Sequence, residues 1–216
     1  MSLGITVTGV HEALQNLIQA GIDTMPGKAV TYKTLEHIQD LLTERTDQTG
    51  NNYTLEQTHL DDIPEYFAEK DIQKKFSFII NSNNSPSYTP NSQLPINHGD
   101  DLWEALEHQQ RIHLQYSGGT LFPVYLRQSI TYHDGCSLLI QRILEEFQYQ
   151  SISISPTFSI CPTHGHIQGN IPECPKCGEM VTTYTQVSGI VKRLDQISSA
   201  RKEEHRLRVP YDVKDV

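Results

Sequence analysis

Apolar residues along this chain recur at two spacings, and their alternation predicts strands interleaved with helices. Residues 4–8 read as an opening strand, followed by two helical stretches separated by a Pro26-Gly27 turn. The second stretch sets Val30, Leu35, Ile38, Leu41 and Leu42 at helical spacing, with Glu36, Asp40, Glu44 and Arg45 largely between them. One face is therefore expected in a core and the other in water. The turn Thr49-Gly50-Asn51-Asn52 leads to a short strand at 53–55, and Asp61 or Asp62 can cap a helix running towards Lys74. Residues 76–80 read as a buried strand. From 81 to 98 the chain is rich in Asn, Ser and Pro, and Pro86, Pro90 and Pro95 forbid a regular helix or central strand, so a surface loop is the plain expectation. Asp100-Asp101 caps a helical run at 102–116 that ends at Gly118-Gly119. A strand at 120–126, a helix near 137–149 and a strand carrying Ile152 and Ile154 follow. The tail turns β-like through 181–191 and finishes in the charged segment 201–208.

Composition narrows the classes. With 216 residues, 37% of them hydrophobic, the chain can bury a full core as one large domain or two small ones. Its 26 acidic against 17 basic residues give a net charge of -9, which repels a phosphate backbone and makes nucleic acid a poor partner. No apolar run approaches a membrane span and no leader pattern opens the chain, so a cytoplasmic protein without membrane contact is expected. Four cysteines are too few for a disulfide scaffold.

Three of those cysteines cluster near the C-terminus. Cys161-Pro-Thr-His164 and Cys174-Pro-Lys-Cys177 form two pairs at knuckle spacing around a short hairpin. Two residues between ligands let both side chains face one tetrahedral ion, thiolate and imidazole favour zinc, and a closed set of three Cys and one His leaves no open position for water. The expected role is structural, with His166 as the alternative fourth ligand. The fourth cysteine, Cys136, opens a helix and reads as a packed thiol. Asp100 and Asp101 read as helix caps, and Glu56 and His108 stay ambiguous, the latter tending to a helix-face residue.

Beyond the knuckles, Thr185-Gln-Val-Ser-Gly189-Ile-Val places a glycine inside a β-like segment, where a bulge, a turn or a close backbone contact is the ordinary explanation. The surrounding motifs add to that. Ser155-Pro-Thr-Phe-Ser-Ile-Cys-Pro-Thr-His-Gly-His-Ile, then Cys174-Pro-Lys-Cys-Gly and Val187-Ser-Gly189 together resemble the C-terminal end of the anaerobic, class III ribonucleoside-triphosphate reductases. Upstream, Glu44-Arg-Thr-Asp-Gln-Thr-Gly-Asn-Asn-Tyr-Thr-Leu-Glu56, Tyr88-Thr-Pro-Asn-Ser-Gln-Leu-Pro95, Gly99-Asp-Asp-Leu-Trp-Glu-Ala-Leu-Glu-His-Gln109 and Tyr116-Ser-Gly-Gly-Thr120 are similar to further family segments in the same order. The resemblance covers most of positions 4–194. It departs at Ile190 and Gln186, where the family usually has Tyr and Arg, and at Asp195-Gln-Ile-Ser-Ser-Ala-Arg201, where Trp-Asn-x-Gly-Lys is common.

The resemblance implies an α/β fold: the C-terminal half of a ten-stranded β/α barrel of the pyruvate formate-lyase kind, with a C-terminal zinc ribbon and a glycyl radical loop. Residues 1–155 would be the partial barrel and 156–216 the zinc-ribbon and radical module. Gly189 matches the radical glycine, which in the family loses an α-hydrogen to an S-adenosylmethionine iron-sulfur activase and passes the radical to a cysteine that attacks ribose. Asn91 and Ser92 are the candidate substrate contacts. The regulatory region and the thiyl cysteine of the family have no counterpart here, so the chain is expected to need an upstream reductase polypeptide or a full-length reductase to reduce a ribonucleoside triphosphate. A spare part for a damaged reductase, an expressed fragment, or a non-catalytic zinc-stapled interaction module are the alternatives.

Overall fold

The computed structural model describes residues 1–57, 63–74, 87–127, 135–187 and 189–213. The expected 76–80 strand, the Asp61 or Asp62 cap and the first part of the proline-rich loop lie outside them.

Strand β1 (Ser2–Ile5) leads through helices α1 (Val10–Ile18) and α2 (Met25–Thr49) to strand β2 (Asn52–Leu55), which lies parallel to β1 with Ser2 opposite Asn52 and Ile5 opposite Leu55. Parallel pairing needs a crossover, and the two helices supply it. The Pro26-Gly27 pair is not the turn between them. Thr24 caps α2, its Oγ1 accepting from Gly27 N at 3.1 Å, and Pro26 occupies the first helical turn, where its missing N–H leaves no bond unmade. Gly27 is there for space, because a Cβ would lie 1.9 Å from Gly21 O. The inward stripe of α2 is narrower than the hydrophobic pattern suggests. Gly27, Thr31, Leu35 and Leu42 are buried and Ile38 packs partly, while Val30 and Leu41 fall on its flanks and are exposed.

Helix α3 (Ile63–Gln73) precedes the proline-rich loop, and α4 (Leu102–His113) follows it, capped by Asp101, whose Oδ1 accepts from Trp103 N at 2.8 Å and Glu104 N at 3.1 Å. Strand β3 (Phe122–Leu126) and strand β4 (Ile152–Pro156) form a second parallel pair, joined through α5 (Gly135–Glu146), with Phe122 opposite Ile152 and Val124 opposite Ile154. Helix α4 serves two cores. Leu102, Ala105 and Leu106 pack with Phe122, Val124, Leu126, Leu139, Ile143 and Tyr149, whereas Ile112 packs with Leu14, Ile22, Leu35, Leu42, Leu55 and Tyr116.

Strands β5 (Phe158–Cys161), β6 (Gly165–Gln168), β7 (Thr182–Val187) and β8 (Ile190–Arg193) form an antiparallel sheet in the order β6-β5-β7-β8. Helix α6 (Ser199–Leu207) follows, and residues 209–213 then run back along residues 96–127 in the middle of the chain. Val209 N donates to Ile96 O, Tyr211 N to Tyr125 O and Asp212 N to Asp100 O, at 3.0, 2.7 and 2.9 Å, and Tyr211 packs on the β3–β4 core. The α/β class is as expected. Among the described residues, however, the parallel strands form two separate pairs and not one continuous sheet. No described helix is long and apolar enough to cross a membrane.

Candidate functional site

The two knuckles fold onto one point. The ligand atoms of Cys161, His164, Cys174 and Cys177 all lie within 4.8 Å of one another. Cys161 Sγ is 3.7 Å from both His164 Nδ1 and Cys177 Sγ, and Cys174 Sγ is 3.6 Å from His164 Nδ1. A tetrahedral ion with bonds of about 2.3 Å has ligand-to-ligand edges of about 3.8 Å, so these separations and this donor set suit zinc. Cys161 ends β5, and the turn to β6 brings His164 back beside it. Burial resists ionisation of Cys174, yet the backbone N–H groups of Lys176 and Cys177 and the adjoining thiols bring its thiol down to about 6, towards the thiolate a metal requires. His166 is elsewhere: it sits on β6 opposite Ile160, and its ring stacks on Phe158 at 5.2 Å.

One neighbour of the cluster was not legible in the sequence. Glu179 Oε2 lies 3.4 Å from Cys177 Sγ and 3.8 Å from Cys161 Sγ and accepts from Thr163 Oγ1 at 2.7 Å. That hydroxyl, helped by the thiols, holds its carboxyl below the usual range. No spacing rule separates such a glutamate from a solvent-facing one.

Gly189 lies in a turn. Val187 pairs with Ile190, so Gly189 lies in the tight connection of the β7–β8 hairpin. Such connections need positive φ, and Gly189 has φ of +81°. A Cβ there would meet only Leu121 Cδ2, at 3.8 Å, so conformation and not crowding selects glycine. The hairpin is tied to the second parallel pair by Gln186, which exchanges hydrogen bonds with Ser153 on β4 at 2.7 and 2.9 Å. Behind it, the Arg208 guanidinium stacks 3.6 Å over the Tyr125 ring and donates to Thr185 Oγ1 at 3.0 Å and to Glu204 at 3.2 Å, while Glu204 also accepts from Arg201.

A cavity of about 270 Å³ opens beside this hairpin. Gln186, Val187 and Gly189 line it together with Thr8, Glu12, Asn91 and Gln93, and Arg201 and Glu204 of α6 are also on its surface. Residues 87–92 of the proline-rich loop are therefore buried or half-buried and not a surface feature. Asn91 is 2% exposed and Ser92 is fully buried, held because Gly9 N donates to Thr89 O and Val10 N to Asn91 O. Of the two candidate substrate contacts, Asn91 lines the cavity and Ser92 does not; the Ser92 hydroxyl is paired with Tyr116 OH at 2.7 Å.

The remaining candidates have structural surroundings. Asp101 is the α4 cap, and Asp100 pairs with Arg127 at 3.5 Å. Glu56 accepts from Thr54 Oγ1, and its side chain fills the space against Gly4 and Gly118, where a Cβ would come within 2.4 and 2.2 Å. His108 joins its Nε2 to Ile22 O at 2.9 Å, and burial with the nearby Lys28 charge pushes its pKa down to about 4. Cys136 is half-buried at the start of α5.

Comparison with known proteins places this geometry. The family profile described as anaerobic ribonucleoside-triphosphate reductase matches residues 1–211. Among solved structures, an anaerobic ribonucleotide reductase superposes with a TM-score of 0.77 at 20% identity over 99% of this chain and 34% of its own. The Thermotoga maritima anaerobic ribonucleotide reductase with MES in its active site gives 0.71 at 18% identity, covering 90% of this chain and 32% of that one. The same enzyme with glycerol in its active site gives 0.69 at 17%, covering 97% and 33%. The chain thus spans about a third of the length of these structures. No curated protein matches the sequence at a significant level. With the profile covering nearly every residue, the chain belongs to the anaerobic ribonucleoside-triphosphate reductase family.

Proposed function

We propose that this chain is the radical-bearing C-terminal part of an anaerobic ribonucleoside-triphosphate reductase, working with a separate reductase polypeptide that supplies the thiyl cysteine. The observation that carries this reading is the placement of Gly189: a positive-φ hairpin glycine on the wall of a cavity shared with Asn91 and Gln93. An α-carbon radical needs a centre that can flatten, flanked by an amide nitrogen and a carbonyl, and glycine alone offers this without a side chain in the way. The activase would remove one hydrogen atom from the Gly189 α-carbon. That radical would be passed to the partner's cysteine, which would open chemistry on the ribose of a substrate held partly in this cavity.

Cys161, His164, Cys174 and Cys177 would hold a structural zinc. Its contribution is mechanical: it pins the start of β7 against β5, and β7 then carries the hairpin some 17 Å further, at about 3.4 Å per residue, to the cavity. The two parallel pairs, β1–β2 and β3–β4, are proposed as wall segments of a ten-stranded barrel completed by the partner, with residues 1–155 as the barrel part and 156–216 as the zinc and radical module. A cytoplasmic location fits this chemistry.

The test is anaerobic EPR after treatment with a cognate activase, S-adenosylmethionine and reductant, with and without a candidate upstream polypeptide. A glycine-type doublet absent from Gly189→Ala supports the reading, and its dependence on the partner separates a split subunit from a spare part. Since φ is +81°, the added methyl also destabilises the fold by about 1–2 kcal/mol, so the variant's folding must be checked in parallel. No doublet from folded, zinc-replete protein with a proven activase and partner rejects the radical role and leaves a non-catalytic interaction module.

A further inference from the structure

Glu179 is held against the cysteine cluster by its backbone. The Cys174-Pro-Lys-Cys177 knuckle closes through Gly178 N, which donates to Cys174 O at 2.8 Å, and Gly178 has φ of +73°, which turns the chain back on itself. Cys174 N donates to Glu179 O at 2.8 Å, so the residue after the turn is pinned beside the knuckle. From there Glu179 Oε2 reaches the edge between Cys177 Sγ, 3.4 Å away, and Cys161 Sγ, 3.8 Å away, with Thr163 Oγ1 donating to it at 2.7 Å. It stands outside the four residues whose donor atoms all lie within 4.8 Å of one another, so it is a neighbour of the set and not a fifth member of it.

Metal loading changes what these contacts mean. A thiol can donate to a carboxylate, but a metal-bound cysteine is a thiolate and has no proton to give. Glu179 Oε2 would then face two anionic sulfurs with no hydrogen between them, which is a repulsive contact. A side chain whose backbone is pinned has two ways out: it turns to water, or it turns to the cation. The bond from Thr163 opposes the first, and carboxylate oxygen is an ordinary zinc donor, which permits the second. Of the three thiols, Cys161 and Cys174 are buried and Cys177 is exposed, so Cys177 is the thiolate most open to displacement by solvent. It is also the sulfur nearest Glu179. We infer that Glu179 is a reserve donor of the metal centre, placed to fill the Cys177 position when that thiolate leaves. This rests on the zinc site proposed above, and it concerns how the ion is retained and not the radical chemistry.

The test is a double-mutant cycle on the intact chain, read by zinc content and by zinc affinity in competition with a chromophoric chelator. The variants are Glu179→Gln, Cys177→Ala and the two together. Cys177→Ala should keep about one zinc per chain, because the carboxylate fills the empty position, and the double variant should bind at least about 10-fold more weakly than Cys177→Ala. With Cys177 present, Glu179→Gln should change affinity by less than about threefold, since the four ligands are intact. A carboxylate that acted only through its charge would shift affinity by the same factor in both backgrounds, and that result overturns the inference. So does a Cys177→Ala chain that folds but holds well under one zinc while wild type holds one. Absence of zinc from the wild-type chain removes the zinc reading with it. Should Cys177→Ala fail to fold, the rate of zinc loss to excess chelator decides: Glu179→Gln should release the ion at least about fivefold faster than wild type, and an equal rate overturns the inference.

Discussion

His113 gives the sharpest quantitative expectation. It is 2% exposed on α4, edge-on to Phe122 and Tyr149 at 5.8 and 5.2 Å, and neither ring nitrogen has a hydrogen-bond partner among the described residues. Burial alone pushes its pKa down to about 3 from the ordinary 6.5. The unfolded chain therefore binds a proton below pH 6.5 that the folded chain refuses until about pH 3, and stability falls as the pH drops through that window. The slope is about 1.4 kcal/mol per pH unit, so moving from pH 8 to pH 5 costs about 2 kcal/mol at this residue. For a chain of this size that corresponds to about 4–8 °C in melting temperature.

The perturbation is His113→Leu, which keeps the volume and removes the titrating ring. Unfolding of both proteins in urea at pH 8 and pH 5 measures the difference. The other depressed histidines, His11, His108 and His205, respond to acid in both proteins, so the double difference isolates His113. Wild type should lose about 2 kcal/mol more than the variant, and the variant should be at least as stable at pH 8 because two unpaired nitrogens are gone. Parallel losses, within about 0.5 kcal/mol, would mean that the histidine is solvated or partnered in solution and the reasoning fails.

Two further expectations concern other parts of the fold. Cys174→Ser should reduce bound zinc to well under one per chain by elemental analysis, whereas His166→Ala should leave it unchanged; retention in the first or loss in the second would reassign the ligand set. Gly27→Ala puts a methyl 1.9 Å from a backbone carbonyl oxygen, so the start of α2 must shift, and a loss of about 1–3 kcal/mol in denaturant unfolding is expected; a neutral result would show that the α1–α2 loop yields freely.

Local chemistry made the candidate metal ligands readable. Two-residue spacing within each knuckle is a short-range constraint, and it selected His164 and the three cysteines without knowledge of the rest of the chain. The caps and turns were readable for the same reason: Asp101 binds N–H groups two and three residues away, and Gly189 answers to its own φ. The β-like stretch 181–191 is two strands, and Gly189, where a turn was one of the ordinary explanations, lies in the connection between Val187 and Ile190. On α2, the same hydrophobic pattern permits several inward stripes, and only the neighbours it packs against choose among them.

The cavity was invisible for a different reason. Thr8, Glu12, Asn91, Gln186 and Gly189 are spread over most of the chain, and no periodicity couples them. Ser92 and Asn91 are adjacent in sequence and equally polar, yet one turns to Tyr116 and the other to the cavity, because backbone bonds from Gly9 and Val10 set the loop's path. By itself, then, the sequence determined what depends on a few neighbouring residues: most helices and strands, the two knuckles that could hold a metal, the glycine and the family. Tertiary structure alone decided how the parallel strands are grouped and which of two adjacent polar residues, Asn91 or Ser92, lines the cavity. Each of those depends on contacts between distant segments, and hydrophobic packing sets such contacts without leaving a local mark.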